Sequence, residues 1–108
     1  NKVIKTKYFE AQVHKYNNKY LLIKNKKFNF LKNLVIFPMN EINKEKYQLS
    51  IDKKINIKLS NMNMKIIINE NNNRKKIENS FLLDKSNFSK FILPSFTKKI
   101  FNSLSDLK

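Results

Sequence analysis

The chain has 108 residues, with Lys+Arg 23 against Asp+Glu 8, a formal charge of +15 and a pI near 10.1. It has no Cys, no Gly and one His, His14. Disulfides, thiol catalysis and cysteine-bound metals are therefore excluded, as are the glycine-rich phosphate loops and nucleophile elbows that require backbone at positive φ. A hydrophobic content of 41%, with nine Phe and four Tyr, is enough for one small core.

The first forty residues carry nine Lys against Glu10. Val3, Ile4, Tyr8, Phe9, Val13 and Tyr16 are β-prone, Asn17-Asn18 suits a tight turn, and Tyr20-Leu21-Leu22-Ile23 follows, which predicts a two-stranded hairpin. Leu34 to Phe37 is a further candidate strand, stopped by Pro38. Alternation then runs through Tyr47, Leu49 and Ile51, through Ile55, Ile57 and Leu59, and through Met64, Ile66 and Ile68, predicting three strands with one buried face. Ser60 to Asn63 is the expected turn between the last two, and residues 70–76 are an expected polar loop. Phe81-Leu82-Leu83 reads as a short strand. After Pro94 the period changes: Phe96, Ile100, Phe101, Leu104 and Leu107 have helical spacing, with Ser95 or Thr97 as the expected N-cap.

The expected fold is α+β, mainly β: a small antiparallel sheet of about five or six short strands with a C-terminal amphipathic helix. A single basic domain spans 1–108, with a hairpin or arm over 1–40, a β core over 41–94 and the helix over 95–108. The longest apolar stretch, residues 34–39, is far short of the roughly 20 residues of a spanning helix. The chain opens on Asn1 rather than Met, and its basic start is followed by no compact apolar run of signal type. A processed, trimmed or partial N-terminus is expected.

Lys, Asn and Ile make up 22, 18 and 13 residues, while the GC-coded Ala11, Arg74, Pro38 and Pro94 stand almost alone, so an AT-rich gene is expected. Codon drift inflates Lys and Asn, yet it does not remove acids, so the charge points to a polyanionic partner. Three segments set cations beside rings: Lys5-Thr6-Lys7-Tyr8-Phe9, the run from Lys24 to Phe30, and Lys98-Lys99-Ile100-Phe101. Lysine ammonium groups neutralise phosphates one at a time and do not read base edges bidentately, so backbone contact without sequence specificity is expected. The rings in these runs are expected in the core. His14 has no nucleophile or carboxylate companion and reads as a packing residue. Glu41 and Glu45, at helical spacing, read as members of a solvated charge network with the interleaved lysines.

These features together predict a structural, non-enzymatic RNA-binding protein of a ribonucleoprotein. The specific expectation is a divergent organellar, for example mitochondrial, ribosomal protein, with rRNA and neighbouring ribosomal proteins as partners. It would work in the mitochondrial matrix or a plastid, or otherwise in the cytoplasm. The expected phosphate contacts are Lys5, Lys7, Lys24, Lys26, Lys27, Arg74, Lys75, Lys76, Lys98 and Lys99. No catalytic residue, metal or cofactor is expected.

A second reading comes from a resemblance. Tyr47-Gln48-Leu49-Ser50-Ile51, Ile55 to Leu59 with Ile66 to Glu70, Phe88 to Pro94, and Ile100 to Leu104 resemble, in order, segments of the small heat-shock (α-crystallin-type) domain. At the end the chain reads Ser105-Asp106-Leu107 where that family has its Ala and Gly-Val-Leu signature. The resemblance implies strands at 47–51 and 100–104 and a chaperone that assembles through sheet edges. A third possibility, attachment to an anionic membrane, uses the same lysines.

Overall fold

A computed structural model describes residues 4–71, 77, 79–90 and 93–104. Its centre is one mixed sheet of seven strands: β1 (Lys5–Tyr16), β2 (Lys19–Lys24), β3 (Val35–Ile36), β4 (Met39–Ile42), β5 (Lys53–Leu59), β6 (Met62–Asn71) and β7 (Ser80–Asp84). Two helices, α1 (Lys44–Leu49) and α2 (Ser95–Asn102), and a 3₁₀ turn over Lys85–Lys90 complete it. The α+β, mainly β class with a C-terminal helix is thus the observed one.

The chain's most cationic end supplies its central strand. β1 pairs in parallel with β6 over ten positions, from Lys5↔Met62 to His14↔Asn71. On its other edge it pairs antiparallel with β4 from Tyr8↔Ile42 to Ala11↔Met39, then with β2 at Lys15↔Tyr20 and Tyr16↔Lys19. β2 in turn carries β7 and β3, and β5 closes the far edge on β6. The parallel β1–β6 pair departs from the all-antiparallel expectation, as do the strand number and β4, whose Met-Asn-Glu-Ile sequence carries little β signal.

Turns are made without glycine. Asn17 and Asn18 both hold positive φ (49° and 66°), the geometry of a two-residue hairpin turn. Asn33, Asn79, Ser60 and Leu31 take the other positive-φ positions among the described residues. Asparagine tolerates this region better than other residues with a Cβ, so part of its abundance has a structural use.

The strand expected through Tyr47, Leu49 and Ile51 fails at α1. Residues 47–49 are helical because Asn43 caps the segment: its side-chain oxygen accepts from the Lys46 backbone N–H at 2.7 Å, and Glu45 lies in the positive first turn. Leu49 and Ile51 are consequently exposed, at 75% and 100%. Glu41 is in β4 and Glu45 in α1, so they do not share a helical face. The segment at 100–104 is also not the strand that the α-crystallin resemblance implies, since Ile100 to Asn102 are the last turn of α2.

The core lies on the face of β1 that bears Phe9, Ala11 and Val13, with Met64, Ile66 and Ile68 of β6 beside them. Tyr20, Leu22, Ile36 and Leu83 add the other half of the sheet, and Phe96 and Ile100 of α2 close it. α2 begins without a side-chain cap because its N-cap is Pro94, not the expected Ser95 or Thr97, which are inside the helix; the Thr97 hydroxyl donates to the Val35 carbonyl of β3 at 2.6 Å. Leu107 is outside the described residues, but Leu104 is 4% exposed just past the helix. Leu104→Ala should lower stability by about 2–4 kcal/mol through the cavity it leaves, read by denaturant unfolding.

Candidate nucleic-acid interface

Phe9 joins two of the three basic–aromatic runs. Its ring meets Phe28 and Phe30 edge-on, each at 5.7 Å between centroids, and Phe28 and Phe30 stack on each other at 5.0 Å. The loop carrying them leaves β2 at Lys24 and returns at β3, and one side chain organises it. Asn25, fully buried, accepts from the Lys27 and Phe28 backbone N–H groups at 3.1 and 3.0 Å. Its amide donates to the Phe30 and Leu31 carbonyls at 2.7 and 3.0 Å. All the ordinary capacity of an Asn side chain is used inside one turn.

The fold of this loop leaves a cleft of about 410 Å³ between Phe30, the turn at residues 59–62 and the start of β1, where Lys5 and Lys7 project. Leu59 and Met62 give it an apolar floor, and Ser60 and Asn61 give it a polar lip. Lys5 is exposed and Lys7 half-buried on the same face of β1. The loop lysines are anchored by neutral groups: Lys26 Nζ donates to Asn33 Oδ1 and Lys27 Nζ to Asn40 Oδ1, both at 2.8 Å. Lys27 Nζ also lies 5.3 Å from the Phe28 centroid. Lys5, Lys7, Lys26 and Lys27 have no acidic partner among the described residues, so their charge is available to an anion.

The remaining predicted contacts are placed differently. Lys24 is exposed at the end of β2, opposite Val35. Lys98 and Lys99 are exposed on the outer side of α2, away from the cleft lining. Arg74, Lys75 and Lys76 lie outside the described residues. Of the rings expected in the core, Phe9 is buried, while Phe28, Phe30 and Phe101 are partly buried against the core. Sequence reasoning missed Asn25 as the residue that builds this edge, and nothing local separates it from the other seventeen asparagines.

On the opposite face of β1, a hollow of about 510 Å³ lies beside α1, bordered by Glu10, Glu45, Lys46 and Asp52. Glu10 is engaged there, by Lys46 Nζ at 3.3 Å and by the Asn69 amide at 3.2 Å. Tyr47 of α1 packs on Tyr8 at 5.1 Å, and burial followed by Tyr8 raises its hydroxyl above the usual tyrosine pKa. His14 is buried, its Nδ1 donates to Asn71 Oδ1 at 2.6 Å, and its Nε2 has no hydrogen-bond partner among the described residues. Among the described residues, no three His, Asp or Glu side chains are placed to share a metal ion, and no helix is long and apolar enough to cross a membrane.

No protein-family model matches the sequence, and no curated protein matches it significantly. Solved structures do share its fold. One is the C-terminal domain of mouse MUTYH, solved in complex with human PCNA. The two superpose with a TM-score of 0.60 over 89% of this chain and 85% of that one, at 13% sequence identity. At that identity the likeness is one of fold.

Proposed function

We propose that this chain is a structural nucleic-acid-binding protein that grips phosphates through the lysine rim of the Phe9–Phe30 cleft. Structured RNA of a ribonucleoprotein, an organellar ribosome in particular, is its target. The observation that carries this reading is a cleft lined by Lys5, Lys7 and Phe30, next to a loop that bears Lys26 and Lys27, with none of these lysines paired to an acid among the described residues. Each ammonium group replaces a condensed counterion on the polyanion, so the driving force is counterion release and carries little sequence preference. The aromatic edge keeps the lysine stems in place and so lowers the ordering entropy lost on binding.

The reading fixes a salt dependence. If Lys5, Lys7, Lys24, Lys26 and Lys27 each neutralise one phosphate, log affinity should fall against log salt with a slope of about −4.5. That is a loss of about 500-fold between 50 and 200 mM salt. Fluorescence anisotropy on an RNA hairpin measures it, with a DNA duplex of equal length alongside. Lys5→Gln/Lys7→Gln should reduce the slope by about 1.8. A flat salt profile overturns the reading, and a marked preference for the DNA duplex moves the target from RNA to DNA.

A further inference from the structure

The cleft uses one face of β1, and side chains alternate along a strand, so the other face is a separate surface. Its open part begins where β1 begins. There, Thr6 and Tyr8 of β1 lie beside Asn63 and Lys65 of β6, and these lie beside Lys58 and Asn56 of β5. Lys54 and Lys58 flank Asn56 along β5, each one same-face step away, about 6.7 Å. Lys65 faces Asn56 from the neighbouring strand, about 4.8 Å away. Three lysines therefore surround one exposed amide on a flat sheet surface.

Among the described residues, no ion pair neutralises this triangle. Lys58 and Lys65 have no acidic partner among the described residues, and Lys54 Nζ is held 5.0 Å from the Tyr47 centroid. Tyr47 is fixed in turn against Tyr8. The acids bordering the hollow on this side are Glu10, Glu45 and Asp52; Asp52 directly precedes β5, Glu45 lies in α1, and Glu10 is engaged by Lys46 and Asn69. A concentrated cationic patch with hydrogen-bonding Asn56 and Asn63 beside it is complementary to a phosphate backbone.

We propose that this open sheet face is a second phosphate-binding surface, so that one chain bridges two nucleic-acid segments, one on each side of β1. The proposal rests on the nucleic-acid reading of the cleft. The sheet itself separates the two anionic strands, and the lysines on either side offset their repulsion. Binding one segment leaves the other surface free, because Lys5 and Lys7 point away from Lys54, Lys58 and Lys65.

The test uses two RNA hairpins of unrelated sequence, one labelled with a donor and one with an acceptor dye, and the intact chain. Energy transfer should appear on adding protein and vanish at large protein excess, as each hairpin takes its own copy. Lys58→Gln/Lys65→Gln replaces exposed or half-buried side chains outside the core and should leave unfolding unchanged. In that variant single-hairpin binding should persist while energy transfer is lost. Lys5→Gln/Lys7→Gln should also lower transfer, by weakening the other surface. Binding of single hairpins with no transfer in the unaltered chain overturns the bridge and leaves the cleft reading intact. Transfer that survives Lys58→Gln/Lys65→Gln overturns the assignment of the second surface. No hairpin binding at all overturns both.

Discussion

Replacing Phe9 with Ala should cost about 3–5 kcal/mol, much of the 5–15 kcal/mol that holds a small domain together. Phe9 is fully buried and central twice over. It sits on the strand that pairs with both β4 and β6, at Phe9↔Glu41 and Phe9↔Ile66. It is also the ring against which Phe28 and Phe30 pack edge-on. Truncation therefore removes a large apolar side chain from the core and the support beneath the loop. Edge-to-face pairs add about 0.5–1.5 kcal/mol each beyond area burial, so the cost should lie in the upper part of the range. Denaturant unfolding gives the stability change. Phe9→Leu separates the two contributions, because it refills most of the volume but supplies no ring for the loop. A cost below about 1 kcal/mol for Phe9→Ala would mean that the Phe9 cluster is not part of the core.

Legibility in the sequence followed the strength of the periodic signal. The β5 strand alternates cleanly and β6 does so up to Ile66, and the described structure buries Ile57, Met64, Ile66 and Ile68 on one face, with Ile67 buried on the other. α2 was legible because Phe96 and Ile100 repeat at helical spacing beyond a proline. The hairpin of β1 and β2 was legible from Asn17-Asn18, whose amides serve where glycine usually does. What failed was local chemistry competing with pattern. Tyr47, Leu49 and Ile51 alternate like a strand, yet the Asn43 cap starts a helix and leaves Leu49 and Ile51 in solvent. The parallel pairing of β1 with β6 was illegible for a different reason. It joins segments about 57 residues apart in sequence, and no short-range signal encodes such a partnership. The basic–aromatic runs could be named from sequence, but their meeting at Phe9 depends on that long-range topology.

The second large effect should come from Asn25→Ala, which tests whether the cleft is built by one buried amide. The substitution strands two backbone N–H groups, of Lys27 and Phe28, and two carbonyls, of Phe30 and Leu31. Each net hydrogen bond contributes about 1 kcal/mol, and a buried group left without a partner costs about 1–3 kcal/mol. Water can reach some of these groups once the loop loosens, so a net loss of about 2–4 kcal/mol is expected by denaturant unfolding. Leu31 offsets part of the cost, since its positive φ of 52° is unfavourable for a residue with a Cβ and can relax once the network that holds it is lost. Asn25→Asp is the sharper variant. It keeps the acceptor for Lys27 and Phe28 but cannot donate to Phe30 and Leu31, and it buries a carboxylate against two carbonyl oxygens. Asn25→Asp should therefore be at least as destabilising as Asn25→Ala at neutral pH and should recover part of its stability in acid, as the carboxyl takes up a proton and regains a donor. Unfolding curves for the two variants at neutral and acidic pH decide the matter. Equal stability of Asn25→Asp and the unaltered chain at neutral pH would show that the Phe30 and Leu31 carbonyls do not depend on this amide. The loop would then owe its shape to the packing of Phe28 and Phe30 on Phe9 alone.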